Sequence, residues 1–234
     1  MKYRKLRRWV LPAILGAALS TLAMLPTFAA ETQTTTNVAT VTTTVAPNGA
    51  PPSGSPNGAP SIGMAPQAEV NPTTFTATAV VTEKKSMAHE SMTNTTADQN
   101  AFISKNKAVV NIENSVFDKT GSTTSDDNSN FHGQNAVVLG IDGSQINIKG
   151  SNITSNSIGS NAVFATGEGS VINVENTNIH TKSDSSRGLD ATYKGTVNGK
   201  NLTITTEGAH SATMATDRGE GTITAEAAKL TTSG

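Results

Sequence analysis

The chain reads as all-β, a parallel β-solenoid of about five rungs, and three observations carry that reading. Glycine followed by Ser or Thr begins at Gly143, Gly169, Gly195 and Gly221, a spacing of 26 residues each time. Each pair opens a segment in which apolar and polar residues alternate: QINIKGSNIT, VINVENTNIHT, VNGKNLTITT and ITAEAAKLTT, with an earlier copy, VVNIENSVFDK, from Val109. No helical pattern separates the copies. Alternation with period two marks strands with one buried face. A fixed period near 26 residues, filled by short strands, marks stacked rungs.

Set one above another, the copies form columns. Val110, Ile146, Ile172, Val197 and Ile223 make one apolar column, and Ile112, Ile148, Val174, Gly199 and Ala225 make a second. Phe117, Ile153, Ile179, Ile204 and Leu230 make a third on the following strand. Another strand per rung is expected at Ala136, Ala162, Ala191 and Ala212, with Asn135, Asn161, Asp190 and Ser211 as the turn residues before it. Two outward columns are regular as well. Glu113, Lys149, Glu175, Lys200 and Glu226 alternate in sign, and Asn111, Asn147, Asn173 and Asn198 repeat an amide. Opposite charges one strand apart attract and like charges repel, while stacked amides hydrogen-bond along the column. Both columns read as structural ladders that hold the rungs in register.

The N-terminal part is of another kind. MKYRKLRR places five basic residues before an apolar run from Trp9 to Leu25, and TFAA follows Pro26. That order is the pattern of a secretory signal peptide over residues 1–30. Residues 31–104 are rich in Thr, Pro, Gly and Ser and read as a disordered linker, with the β-helix domain over 105–234. Without the signal segment, 12 of the 17 basic residues remain against 18 acidic ones, which argues against nucleic acid as a partner. No further span is expected in the mature chain. The chain has no cysteine, so an exported fold must hold without disulfides. Tyr193 and five phenylalanines are the only aromatic residues after the signal segment, a thin supply for stacking sugars.

Function in a solenoid concentrates where rungs depart from the repeat. DKTGSTTSDDNSNFHG, from Asp118, and HTKSDSSRG, from His180, are longer than the matching TSNSIG. They are expected to project from one edge and to gather Asp126, Asp127, His132, His180, Asp184 and Arg187. Calcium is the one ion considered, through Asp126, Asp127 and Asp184. Arg187 is the only base that a lyase-like reading could use. His132 and His180 would be a metal pair, although histidines on polar loops are ordinarily just solvated, and no metal or other cofactor is assigned. In TDRGEG, from Thr216, Asp217 is expected to pair with Arg218.

TSDDNSNFHGQNAVVLGIDGSQINI and TDRGEGTITAEAAKLTTSG resemble segments of secreted bacterial pectate-lyase-like β-helix proteins of the adhesin-like surface class. The resemblance covers about residues 105–234. It implies a right-handed parallel β-helix and a bacterial surface or extracellular location, and it carries no catalytic residue. The function expected is non-enzymatic presentation of loops to a surface protein or glycan. The alternatives are a lyase-like enzyme and a structural spacer. Because such solenoids generally continue for more rungs, either missing C-terminal rungs or end-to-end self-association is expected at Gly234.

Overall fold

The computed structural model describes residues 70–234 and the backbone of Thr43–Thr44. The segment read as a signal peptide, and the stretch read as linker as far as residue 69, otherwise lie outside these residues. No helix among the described residues is long and apolar enough to cross a membrane.

Three parallel sheets wrap around one interior, and each turn contributes a strand to each sheet. The first sheet contains Ala77–Val81, Asn100–Ser104, Val138–Gly140, Val163–Thr166, Leu189–Thr192 and Met214–Ala215. The second contains Lys85–Ala88, Val109–Glu113, Gln145–Lys149, Val171–Glu175, Thr196–Lys200 and Thr222–Glu226. The third contains Ser91–Asn94, Val116–Lys119, Asn152–Ser155, Asn178–Thr181, Thr203–Thr206 and Lys229–Thr232. Thr43–Thr44 pairs antiparallel with Ile223 and Thr222 at the edge of the second sheet.

The described strands make six turns, one more than the repeat count. The additional turn lies inside the stretch read as linker to residue 104. Its inward positions are weakly marked: Lys85 pairs with Val110, Met87 with Ile112, and Met92 with Phe117. At the end of a stack, one side of a turn faces solvent, so its columns need less apolar surface. Met87 is nevertheless buried, and Met92 packs against the core.

The second and third sheets have the register that the columns predict. Ile146, Ile172, Val197 and Ile223 stack in order, as do Ile153, Ile179, Ile204 and Leu230. The first sheet departs from it. Val163 pairs with Val138 and Leu189, not Ala162 with Ala136 and Ala191. Asp190 is therefore no turn residue. It stands in mid-strand, in an outward column after Ile103, Leu139 and Phe164.

That outward face is buried because the first insertion folds back on it. Residues Asp126–His132 form a helix, α1, where a projecting loop was expected. Ser125 caps its N-terminus by accepting from Asn128 N–H, and Gly133 ends it in the left-handed region at φ 77°. A Cβ at Gly133 would lie 2.6 Å from Leu139 Cδ1 and 2.8 Å from Phe164 Cδ1, so only glycine lets the chain approach so closely. Two apolar clusters thus form among the described residues. One fills the solenoid interior, and a smaller one, with Ile103, Leu139, Ile141 and Phe164, lies on the outer face of the first sheet beside Gly133, where Phe75 and Ala77 pack against it.

The charged column keeps its alternation in space, with Glu113, Lys149, Glu175, Lys200 and Glu226 as successive partners. Only Lys149 and Glu175 approach as an ion pair in that column, at 3.9 Å and with both side chains well exposed. Exposed pairs contribute about 0–1 kcal/mol. Lys149→Glu is accordingly expected to lower stability by less than about 1 kcal/mol, measured by urea denaturation.

Candidate functional site

The amide column is continuous. Asn147 Nδ2 donates to Asn111 Oδ1 at 2.9 Å, Asn173 Nδ2 to Asn147 Oδ1 at 2.8 Å, and Asn198 Nδ2 to Asn173 Oδ1 at 2.9 Å. Thr224 Oγ1 closes the series on Asn198 Oδ1 at 2.8 Å. Between this column and the charged one runs a trough of about 650 Å³, crossing turns two to six on the outer face of the second sheet. Its walls are two residues apart along each strand. Strand geometry therefore places them on the same face, with the apolar side chain between them turned inward.

The second polar feature lies beneath α1. Arg187, whose side chain is 13% exposed, reaches three partners there. Its Nη1 donates to Asn130 Oδ1 at 3.0 Å and to Asp190 Oδ2 at 3.1 Å. Its Nη2 lies 2.9 Å from Asp217 Oδ2 as an ion pair. Asp190 is fully buried, and its Oδ1 has no hydrogen-bond partner among the described residues. Burial pushes its carboxyl well above the usual range; Arg187 opposes the rise and Asp217 adds to it. Arg218 is not the partner of Asp217 but sits over the Phe131 ring, 3.5 Å from its centroid. The His132 ring stacks on Tyr193 at 5.3 Å. Burial and Arg218 lower the His132 pKa, against the pull of Asp127. A second cavity, of about 300 Å³, opens beside His132 and Tyr193.

The six residues expected along one edge thus have separate settings. Asp126 and Asp127 occupy the first turn of α1, where carboxylates favour the helix dipole. His132 ends α1. His180 lies on the third sheet with Nε2 2.7 Å from Glu207 Oε1. Asp184 Oδ1 accepts from Ala209 N–H at 2.9 Å and secures a turn. Arg187 is the one drawn into a cluster, and its partners Asn130, Asp190 and Asp217 were not foreseen. Among the described residues, no group of three or more His, Cys, Asp or Glu could hold a metal ion. Asp126, Asp127 and Asp184 therefore do not form the calcium site considered from the sequence.

Lys119 is a further buried charge. It lies on the third sheet, 0% exposed, and its ammonium donates to the carbonyls of Thr96 (2.9 Å) and Gly121. Burial lowers its pKa to about 8, against the attraction of Asp98. Burial pushes Asp98 upward too, but hydrogen bonds from Thr124 and Thr123, with help from Lys119, hold it below its usual value. A base with a lowered folded pKa binds its proton better in the unfolded chain. Lys119 therefore makes stability rise with pH between about 8 and 10.5. Lys119→Met is expected to flatten that segment of a pH–stability curve, read by thermal unfolding.

Compared with known proteins, the chain matches no protein-family model, no curated protein and no solved structure. What is established is a parallel β-solenoid of about six turns, with a polar trough on one sheet and a helix-covered charge cluster on another.

Proposed function

We propose that the chain is an exported, non-enzymatic surface protein that binds an extended partner along the second-sheet trough. The trough carries the proposal, because it crosses five turns and its polar walls are repeated at each one. Loop presentation is no longer the favoured form of binding, since α1 packs on the first sheet. The lyase-like alternative needs a base that reaches a substrate proton. Arg187 is nearly buried and already occupied by Asn130, Asp190 and Asp217. Deleting residues 119–132 would not test loop presentation, because it removes buried Lys119 and α1 together.

The test is retention of polysaccharides and matrix proteins on the immobilised full chain, with chromatography of the supernatant for cleavage products. Retention without turnover is expected, and Asn173→Trp, which fills the trough, should abolish it. Unsaturated or shortened products from any polymer would overturn the non-enzymatic reading. Retention unchanged in Asn173→Trp would overturn the trough as the site.

A further inference from the structure

We infer that the partner held in the trough is a neutral, hydroxyl-rich polymer, a glycan strand laid across the turns; this rests on the trough being the binding site. The amide ladder fixes what each turn can offer. An asparagine amide has two N–H donors and two acceptor lone pairs. Asn147 and Asn173 each spend one donor and one acceptor on their neighbours above and below. One donor and one acceptor per amide remain, on groups already held in orientation by the ladder. Such preorganisation reduces what binding must spend on ordering the site.

The opposite wall repeats the same duality. Its three glutamates accept and its two lysines donate, in alternation up the stack. A partner that both donates and accepts at short intervals satisfies both walls, and a hydroxyl does both. The charged groups of a polyanion only accept; they would leave the ladder lone pairs without donors and would face a wall with one more Glu than Lys. The charged groups of a polycation only donate and would face the lysines. An extended peptide carries both kinds of group, but those on one edge recur every ~6.8 Å, against ~4.8 Å between rungs, so it falls out of step within two turns. The several hydroxyls of each sugar ring impose no such single spacing.

Among the described residues, no aromatic side chain lines the trough. Recognition therefore rests on hydrogen bonds, and weak binding repeated over several turns is expected in place of a stacked sugar platform.

Affinity electrophoresis of the full chain distinguishes the outcomes. Gels would contain a neutral soluble β-glucan, alginate as the polyanion, polylysine as the polycation, or an uncharged Ser/Thr-rich peptide. Retardation by the β-glucan alone is expected, with affinity reduced about tenfold in Asn147→Leu and further in Asn147→Leu/Asn198→Leu. Thermal unfolding of each variant checks that the solenoid remains folded. Retardation by alginate, polylysine or the peptide that is lost in Asn173→Trp would overturn the neutral-glycan inference and leave the trough standing. β-glucan retardation that survives Asn173→Trp would overturn the trough itself. No retardation by the β-glucan at any concentration would overturn the inference.

Discussion

Replacement of Arg187 by Met is expected to destabilise the chain by about 3–5 kcal/mol at pH values where Asp190 is ionised, because it leaves that carboxylate in an apolar setting without its cation. The penalty should grow with pH. A carboxyl whose folded pKa is raised contributes stability that is fully present below its unfolded pKa and is lost as pH rises through the folded value. Without Arg187 the folded value rises further, so ionisation of Asp190 opposes the fold more strongly. In acid, where Asp190 is protonated in both proteins, the two should converge. The double variant Arg187→Met/Asp190→Leu should recover much of the loss, since Leu continues the column of Ile103, Leu139 and Phe164. Urea denaturation across pH reads both effects. An Arg187→Met penalty that does not vary with pH would contradict this account of the cluster.

Phe117→Ala is expected to lower stability by about 3–5 kcal/mol. Phe117 is fully buried, lies between Met92 and Ile153 in its column, and meets the Phe102 ring edge-on at 6.2 Å. Leu230 occupies the same column in the last turn but is 41% exposed. Leu230→Ala should therefore lose only part of a transfer free energy and leave no closed cavity, an effect of about 1 kcal/mol. Equal losses at the two positions would mean that the column is not a continuous core.

The contrast also shows what a sequence of this kind discloses. Columns such as Ile146, Ile172 and Val197 are legible because an inward position sees the same environment at every turn. The same logic discloses Asn147 and Asn173, whose ladder depends on repetition. It fails where turns differ. Lys85 and Met87 disguise the first turn, because an end turn tolerates what an inner turn would not. In the first sheet the repeated Ala misleads: matching Ala162 with Ala136 and Ala191 puts Asp190 in a turn, although it continues an apolar column. Ser125 and Gly133 are good helix boundaries, yet the Asp, Asn and Ser between them have the composition of a loop. The cluster around Arg187 joins residues far apart in the chain: Asn130 is 57 positions from Arg187. Such pairs carry no local or periodic signal.

The central claim, that a partner lies along the second-sheet trough, is tested most directly by NMR of the asparagine side-chain amides in the full chain. In the free protein, Asn147, Asn173 and Asn198 should each show two inequivalent Nδ2 protons, one of them slow to exchange because it donates along the ladder. Addition of the neutral β-glucan is predicted to shift and protect the outward-facing proton at successive turns. Unchanged ladder resonances, with shifts instead at His132, Tyr193 or other residues around α1, would contradict the account and place the site on the first sheet.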